Sequence, residues 1–140
     1  MESANVVVCH HVFYNVADLV PFAEALTDRA RRRVVVEFFA EHPMARLNGL
    51  WRALHGFERP TSPTAADALD VLGEMGLPVR HEESERPSLW KKGDRADRVA
   101  FARRRLCLGP ERDTDIEALL PPPEEEPPER LVTLWWDVGA

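Results

Sequence analysis

The chain has 140 residues, a length that accommodates a single domain, residues 1–140, and excludes separate catalytic and regulatory domains. Hydrophobic residues make up 44% and charged residues 30%, so the composition is that of a folded globular protein rather than a disordered one. The formal charge of −6 makes nucleic acid an unfavourable partner. Apolar runs are too short for a membrane span and the N-terminus lacks a signal-peptide pattern, so we expect a cytoplasmic protein without membrane association.

The cysteine pattern argues against a disulfide framework and against a metal site. Cys9 and Cys107 have no C-x-x-C partner and no metal-ligand spacing. We therefore expect reduced thiols and no bound metal. Because Cys9 lies in an apolar strand, we interpret it as an inert buried side chain rather than a nucleophile.

The first part of the chain has the pattern of a right-handed βαβ unit. Residues 5–9 and 34–39 are continuous apolar runs, as expected of parallel strands that are covered by helices. Between them, Asp18 can cap a helix. Arg29 and residues 31–33 are expected to close this helix with positive charge at its C-terminal end.

Two amphipathic helices follow. Residues 43–54 have apolar side chains at helical spacing, and Gly56 ends the segment. For the next helix, Ser62 is the expected cap and Pro63 the first helical residue. Gly76 is the expected left-handed terminator of that helix.

The last part of the chain alternates charged and apolar segments. Residues 79–85 are highly charged, which favours an edge strand. Residues 94–106 and 113–120 are predicted helices. In the first, Val99, Ala102 and Leu106 are expected to face inward and the arginines to face solvent. Residues 121–128 form a Pro/Glu-rich tract, interpreted as an extended, solvated loop. Residues 131–136 are the final apolar strand.

This order of elements resembles the C-terminal half of a class I S-adenosylmethionine-dependent methyltransferase, of the type found in small bacterial enzymes that act on metabolites. Residues 6–16, VVVCHHVFYNV, are similar to the family's fourth strand and the loop after it, and residues 34–39 to its fifth strand. Residues 61–79 resemble the helix and turn before its sixth strand, and residues 131–137 its antiparallel seventh strand. The resemblance implies an α/β fold: a partial Rossmann-like sheet of about four strands, parallel except for the terminal strand, with four to five helices mainly on one face. By this resemblance the strands are the family's strands four, five, seven and six, in that order across the sheet.

The resemblance also implies a function. The family transfers a methyl group from S-adenosylmethionine, here to a small-molecule acceptor. Its cofactor is wrapped by a Gly-rich turn after the first strand, and no G-x-G stands anywhere in this sequence. The part of the fold that would bind S-adenosylmethionine therefore has to be a missing or separate half, because strands one to three have no counterpart.

A second hypothesis is a non-catalytic dimerisation or interaction module derived from the same fold. Without the family's first strand, residues 6–9 become an apolar sheet edge. We expect a homodimer, or a second chain, to cover that edge.

The candidate catalytic residues are His10 and His11, which follow the first strand at the carboxyl end where α/β sheets bind ligands. Either could deprotonate a substrate hydroxyl, although packing and helix capping explain them as well. The resemblance places Cys9, His10 and Val12 beside the cofactor.

The candidate substrate-binding residues are Tyr14, Asn15, Glu37, Trp51 and His55. Tyr14 and Asn15 lie in the loop after the first strand, and capping or packing accounts for them equally well. Glu37 interrupts an apolar strand, so it marks either a sheet face or the substrate crevice. Trp51 and His55 share one helix face and could form an aromatic wall, but core packing is the simpler explanation for Trp51.

Two further patterns allow a functional hypothesis, and each has an argument against it. Trp51, Trp135 and Trp136 could hold an aromatic ligand, although no polar groups clearly converge on them. The basic run at residues 103–105 is better explained as a solvated helix face than as an anion site, because its members point in different directions.

Overall fold

The computed structural model describes residues 3–139, and these form two compact units. The first unit contains a mixed β-sheet with two helices, and the second contains three helices. The first comprises the described residues up to His42, Thr61–Glu85 and the described residues from Arg130 onward, whereas the second comprises Pro43–Pro60 and Arg86–Glu129.

The sheet has four strands in the order β1-β2-β4-β3. β1 and β2 are parallel, with helix α1 (Leu19–Arg29) between them in the chain, and β4 runs antiparallel to β2. This confirms the predicted α/β fold, the partial Rossmann-like order and the antiparallel terminal strand. The strands are β1 (Ala4–His10), β2 (Ala30–Phe39), β3 (Arg80–Arg86) and β4 (Glu129–Asp137).

One face of the sheet forms the core of the first unit. Val34, Val36 and Phe38 of β2 are buried on this face, together with the alternate residues of β4. Helix α1 contributes Ala23 to the same cluster, and helix α3 (Ala65–Glu74) contributes three further buried residues. Because both helices share this one core, the expected placement of helices on one face holds for this unit.

The opposite face of the sheet carries the side chains of Val6 and Val8 at its β1 edge. These two valines are 46% and 56% exposed. Side chains alternate along a strand, so His10 lies on the same face, and the register aligns it with Glu37 of β2. The open face therefore joins an apolar edge to two polar residues at the carboxyl ends of the parallel strands.

The helix caps agree with the prediction for α1 and correct it for α3. Asp18 caps α1 by accepting a hydrogen bond from the Val20 backbone N–H. The cap of α3 is Thr64 rather than Ser62, so Pro63 also lies outside the helix. Thr64 and Asp67 form a reciprocal capping box, which satisfies two backbone N–H groups at once.

The chain leaves α1 earlier than predicted. The helix ends at Arg29, and β2 already begins at Ala30. Arg31, Arg32 and Arg33 therefore belong to the strand rather than to the last helical turn. Backbone pairing with β1 from Ala30 onward, and with Asp137 of β4 at Arg33, extends the strand before its apolar run, and a short ion pair joins the Arg33 and Asp137 side chains.

The edge strand β3 is confirmed as charged and exposed. Six of its seven residues are Arg, His or Glu, and none is buried. Charged side chains on an edge strand discourage pairing with further strands. The turn before β3 is also as predicted, because Gly76 has the left-handed conformation that ends α3.

Three helices build the second unit. These are α2 (Asn48–His55), α4 (Arg95–Arg105) and α5 (Asp113–Leu119). Helices α4 and α5 lie within one residue of their predicted bounds, whereas α2 begins five residues later than the predicted start at residue 43, after a separate short helical turn at Ala45–Leu47. Their apolar sides meet in one cluster, and Gly56 ends α2 in the left-handed conformation. None of the helices in the described part of the chain is long and apolar enough to cross a membrane.

The second unit corrects two expectations about charged residues. Arg98 of α4 is buried instead of facing solvent, and its guanidinium lies 3.1 Å from the carboxylate of Glu126. Glu126 belongs to the Pro/Glu-rich tract that was expected to be extended and solvated. The tract instead contains a short helical turn at Pro123–Glu125, and Glu126 is buried.

Candidate functional site

The candidate site lies at the carboxyl ends of β1 and β2. His10 is the last residue of β1 and is aligned with Glu37 in the parallel register. Their Nδ1 and Oε1 atoms are 3.6 Å apart, and both side chains are partly exposed. This distance is an ion-pair distance, slightly longer than a hydrogen bond. The pair is therefore a histidine and a carboxylate that solvent or a ligand can reach.

His11 occupies a constrained position directly after this pair. Its φ of 55° lies in the left-handed region, which residues other than glycine rarely adopt. The His11 N–H donates to the carbonyl oxygen of Glu37 at 2.8 Å, and its ring stacks on Phe39 with centroids 4.7 Å apart. Backbone positions of this kind concentrate at functional sites. The backbone bond and the stacking fix the orientation of His11 beside His10.

Tyr14 and Asn15 lie in the short helical turn that follows, Phe13–Asn15. The Tyr14 ring meets His42 edge to face at 5.1 Å and also contacts Phe38. Burial raises the pKa of the Tyr14 hydroxyl, so this group stays protonated and can donate a hydrogen bond. Asn15 is exposed, and its backbone N–H closes the turn.

His42 is the residue that sequence reasoning left without a role. It lies three residues after the end of β2, whereas His11 directly follows β1, and the sequence signal for it was this position after an apolar strand. Its contact with Tyr14 brings a third histidine to the same end of the sheet. Three imidazoles, one carboxylate and one phenol therefore lie at the carboxyl ends of the two parallel strands. His10, His11 and Glu37 lie on the open face of the sheet, whereas Tyr14, with His42 against it, contacts Phe38 of the core face.

The other two residues expected beside a cofactor, Cys9 and Val12, direct their side chains into the core cluster. Cys9 is buried, and burial raises the pKa of its thiol, which keeps the group protonated and agrees with an inert role. Only backbone atoms of these two residues could contact a ligand at the strand ends.

Trp51 and His55 belong to the second unit, whereas the residues of the sheet site belong to the first. Their rings stack with centroids 4.4 Å apart, and Phe57 tilts against both. His55 Nε2 lies 2.8 Å from the carbonyl oxygen of Leu106. Trp51 is buried in the core cluster of this unit, with the Arg59 guanidinium over its ring. These contacts support packing as the main role of Trp51 and leave substrate binding by either residue a prediction.

The other two tryptophans do not line one pocket. Trp136 is fully buried, and its indole N–H donates to the Thr27 hydroxyl at 3.0 Å. Trp135 is its neighbour in β4, so its side chain projects from the opposite face of the sheet, where Arg80 lies over the ring. An aromatic ligand held between them is therefore excluded by the alternation of the strand.

The charge of the basic run is also explained locally. Arg103 pairs with Asp113, and the guanidinium groups of Arg104 and Arg105 lie over the ring of Phe101. Among residues 3–139 no group of three or more His, Cys, Asp or Glu side chains is arranged to hold a metal ion.

Two solved structures are similar in fold to this chain. A candidate methyltransferase from Bacillus halodurans C-125 matches with a TM-score of 0.51 at 7% identity, and the match covers 99% of this chain and 66% of that one. A cyclopropane-fatty-acyl-phospholipid synthase-like protein from Lactobacillus casei matches with a TM-score of 0.53 at 15% identity, covering 96% of this chain and 56% of that one. The chain therefore has a methyltransferase-like fold, as its sequence predicted.

The chain spans about two thirds of the first of these proteins and just over half of the second. No protein-family model matches the sequence, and no curated protein is significantly similar to it. The likeness is thus one of fold, and the chemistry of this chain has to be argued from its own residues.

Proposed function

We propose that this chain is the acceptor-side part of an S-adenosylmethionine-dependent methyltransferase that acts on a small molecule. The methyltransferase-like fold supports the class of reaction in general. The observation that carries the proposal is the pairing of His10 with Glu37 at the carboxyl ends of two parallel strands. In open α/β sheets, ligands bind at the carboxyl ends of the strands.

His10 is the candidate general base. A methyl acceptor that carries a hydroxyl group becomes a stronger nucleophile when a base accepts its proton. His10 is exposed enough to meet such an acceptor, and Glu37 lies on the Nδ1 side of its ring. A carboxylate there favours the tautomer with the proton on Nδ1. The Nε2 atom is then free to take up the proton of the substrate hydroxyl. Catalytic contacts are often somewhat long before a substrate binds, so a separation of 3.6 Å is compatible with this role.

Tyr14 and His11 complete the acceptor side in different ways. Tyr14 stays protonated because burial raises its pKa, so we assign it as a hydrogen-bond donor to the acceptor rather than as a second base. His11 is fixed by its backbone bond to Glu37 and by stacking on Phe39, which suits a wall of the site better than a group that must move a proton.

The residues of this chain do not fit S-adenosylmethionine by themselves. No glycine stands in residues 11–18, which follow β1, or in residues 40–48, which follow β2, so a glycine-rich turn is lacking at these strand ends. The side chains of Cys9 and Val12, the expected contacts beside His10, pack in the core. We therefore assign the binding of the methyl donor to another segment or another chain, and the assignment to this chain concerns only the acceptor.

Methyl transfer by the native protein, isolated with any chain that accompanies it, tests the proposal. The assay uses labelled S-adenosylmethionine with a panel of small hydroxyl and amine acceptors. If His10 is the base, His10→Ala lowers the transfer rate to a hydroxyl acceptor by about 10²–10⁴-fold. The matched control is His81→Ala, because His81 is an exposed histidine in β3. A native protein that neither binds S-adenosylhomocysteine in calorimetry nor transfers methyl groups would contradict the proposal.

A further inference from the structure

The edge of β1 that faces away from β2 carries backbone groups that can pair with another strand. In the parallel ladder the N–H of His11 donates to Glu37, so the odd-numbered residues of β1 turn their backbone groups toward β2. The N–H and C=O groups of Val6 and Val8 consequently point away from β2. Within residues 3–139 no strand lies on that side of β1, which is one end of the sheet.

The two edges of this sheet differ sharply in charge. β3 carries six charged or titratable side chains among seven residues, and like charges directly opposite each other destabilise a strand pair. β1 has no charged side chain between Ala4 and Cys9. The side chains of Val6 and Val8, on the open face of the sheet, are 46% and 56% exposed. The usual protections of an edge strand, namely charge and proline, are present on β3 as charge and absent from β1.

We propose that β1 pairs antiparallel with β1 of a second copy of this chain, about a two-fold axis at Val7. In this register Val6 lies opposite Val8 of the second copy, and Val8 opposite its Val6. Each of these is a hydrogen-bonded pair, because both residues present outward backbone groups. The four valines then form one apolar patch on the open face of the joined sheet.

Self-pairing suits this edge because two copies of β1 bring exposed valines opposite each other and no charged side chain opposite another. The register brings uncharged residues together from Ala4 to His10, so no like charges meet within it. Neighbouring registers either shorten the ladder or separate Val6 from Val8. A single strand pair buries less area than a standard stable interface, so we expect dimers that dissociate on dilution.

Sedimentation over about a hundredfold range of micromolar concentrations tests the proposal with the full chain. The expected result is a monomer mass at low concentration that rises to a dimer mass. Val8→Lys should keep the chain monomeric throughout, whereas Val20→Lys should dimerise as the wild type does. Val20 is the matched control because it is a 38% exposed valine on α1. Circular dichroism is the check that both variants fold.

Amide hydrogen exchange on the unmodified chain identifies the edge and needs no variant. The Val6 and Val8 N–H groups should exchange rapidly at low concentration and become protected as the dimer forms. Val8→Pro removes one outward N–H without touching the ladder to β2, so it should weaken the dimer as well. A monomer at all concentrations would overturn the proposal, as would a dimer in which Val6 and Val8 exchange freely. Methyl transfer is measured separately, so failure here is distinct from failure of the proposed function.

Discussion

Arg98 and Glu126 form a buried ion pair, with side chains that are 6% and 7% exposed and 3.1 Å apart. The Arg98 guanidinium also donates to the carbonyl oxygens of Trp90 and Pro121, so it joins three segments of the second unit. Arg46 approaches Glu126 at 3.9 Å from a fourth segment. The pair therefore anchors the Pro/Glu-rich tract to helix α4.

Removing the carboxylate of this pair should destabilise the chain strongly. Glu126→Gln leaves the Arg98 charge buried without its nearest counter-ion, and we expect a loss of about 3–5 kcal/mol in the free energy of unfolding. Urea denaturation measures it. The control is Glu124→Gln, an exposed glutamate of the same tract, which should change stability by less than about 0.5 kcal/mol.

A double variant separates the pair from its surroundings. Replacing both members with apolar residues, Arg98→Met and Glu126→Leu, removes the two charges together, and such replacements are often close to neutral. We expect the double variant to be more stable than Glu126→Gln alone. Equal losses in the two variants would show that the ion pair is not the source of the cost.

The burial of Arg98 and Glu126 also shows where sequence reasoning fails. The helical pattern placed Val99 and Ala102 inward correctly, because neighbours three and four residues apart share a helix face. The partner of Arg98 lies 28 residues further along the chain, in a tract whose composition indicated only solvent exposure. Periodicity reports which face is apolar, but not which charge on that face meets a distant counter-ion.

The sheet was more predictable than the helix boundaries, since continuous apolar runs and a charged edge specify strands directly. The resemblance supplied the strand order, which local patterns do not contain. His10 and Glu37 were each predicted near the site, but the register that aligns them is known only from the pairing of β1 with β2. The cap of α3 was displaced by two residues because Ser62 and Thr64 are both good caps, and only Thr64 has Asp67 as its capping-box partner.

The Thr64 cap itself is testable. Thr64→Ala removes the hydroxyl that accepts from the Asp67 N–H, and loss of such a cap costs about 1 kcal/mol. For a chain of this size we expect the Tm to fall by about 3–5 °C. Thr61→Ala, at an exposed threonine outside the helix, is the matched control. A Tm loss of the same size in both variants would contradict a specific cap.

Asp137 predicts an acid-sensitive contribution to stability. A hydrogen bond from Arg33 lowers the pKa of its carboxyl group, and Arg80 adds a second ion pair. Because the folded pKa lies below the unfolded one, the charged form favours folding at neutral pH. This contribution is lost as the pH falls from about 4, the unfolded value, through the lower folded value.

Asp137→Asn should therefore be less stable than the wild type at pH 7 and approach it in strong acid. The urea midpoint at a series of pH values measures this convergence. Asp137→Glu keeps the charge and should retain a pH dependence of the same sign. A constant difference between Asp137→Asn and the wild type at every pH would argue against the linkage.

Glu37 tests the proposed chemistry without removing the base. Glu37→Gln keeps the shape of the side chain but removes the charge beside His10 Nδ1, so the favoured tautomer of His10 is lost. We expect methyl transfer by the native protein to fall by at least about tenfold while acceptor binding changes little. The nitrogen chemical shifts of His10 should show less proton on Nδ1, a change that a purely structural role would not produce. Glu41→Gln, at an exposed carboxylate just after β2, is the matched control and should leave both the rate and the His10 tautomer unchanged. If Glu37→Gln alters the rate but not the tautomer, Glu37 does not act through His10.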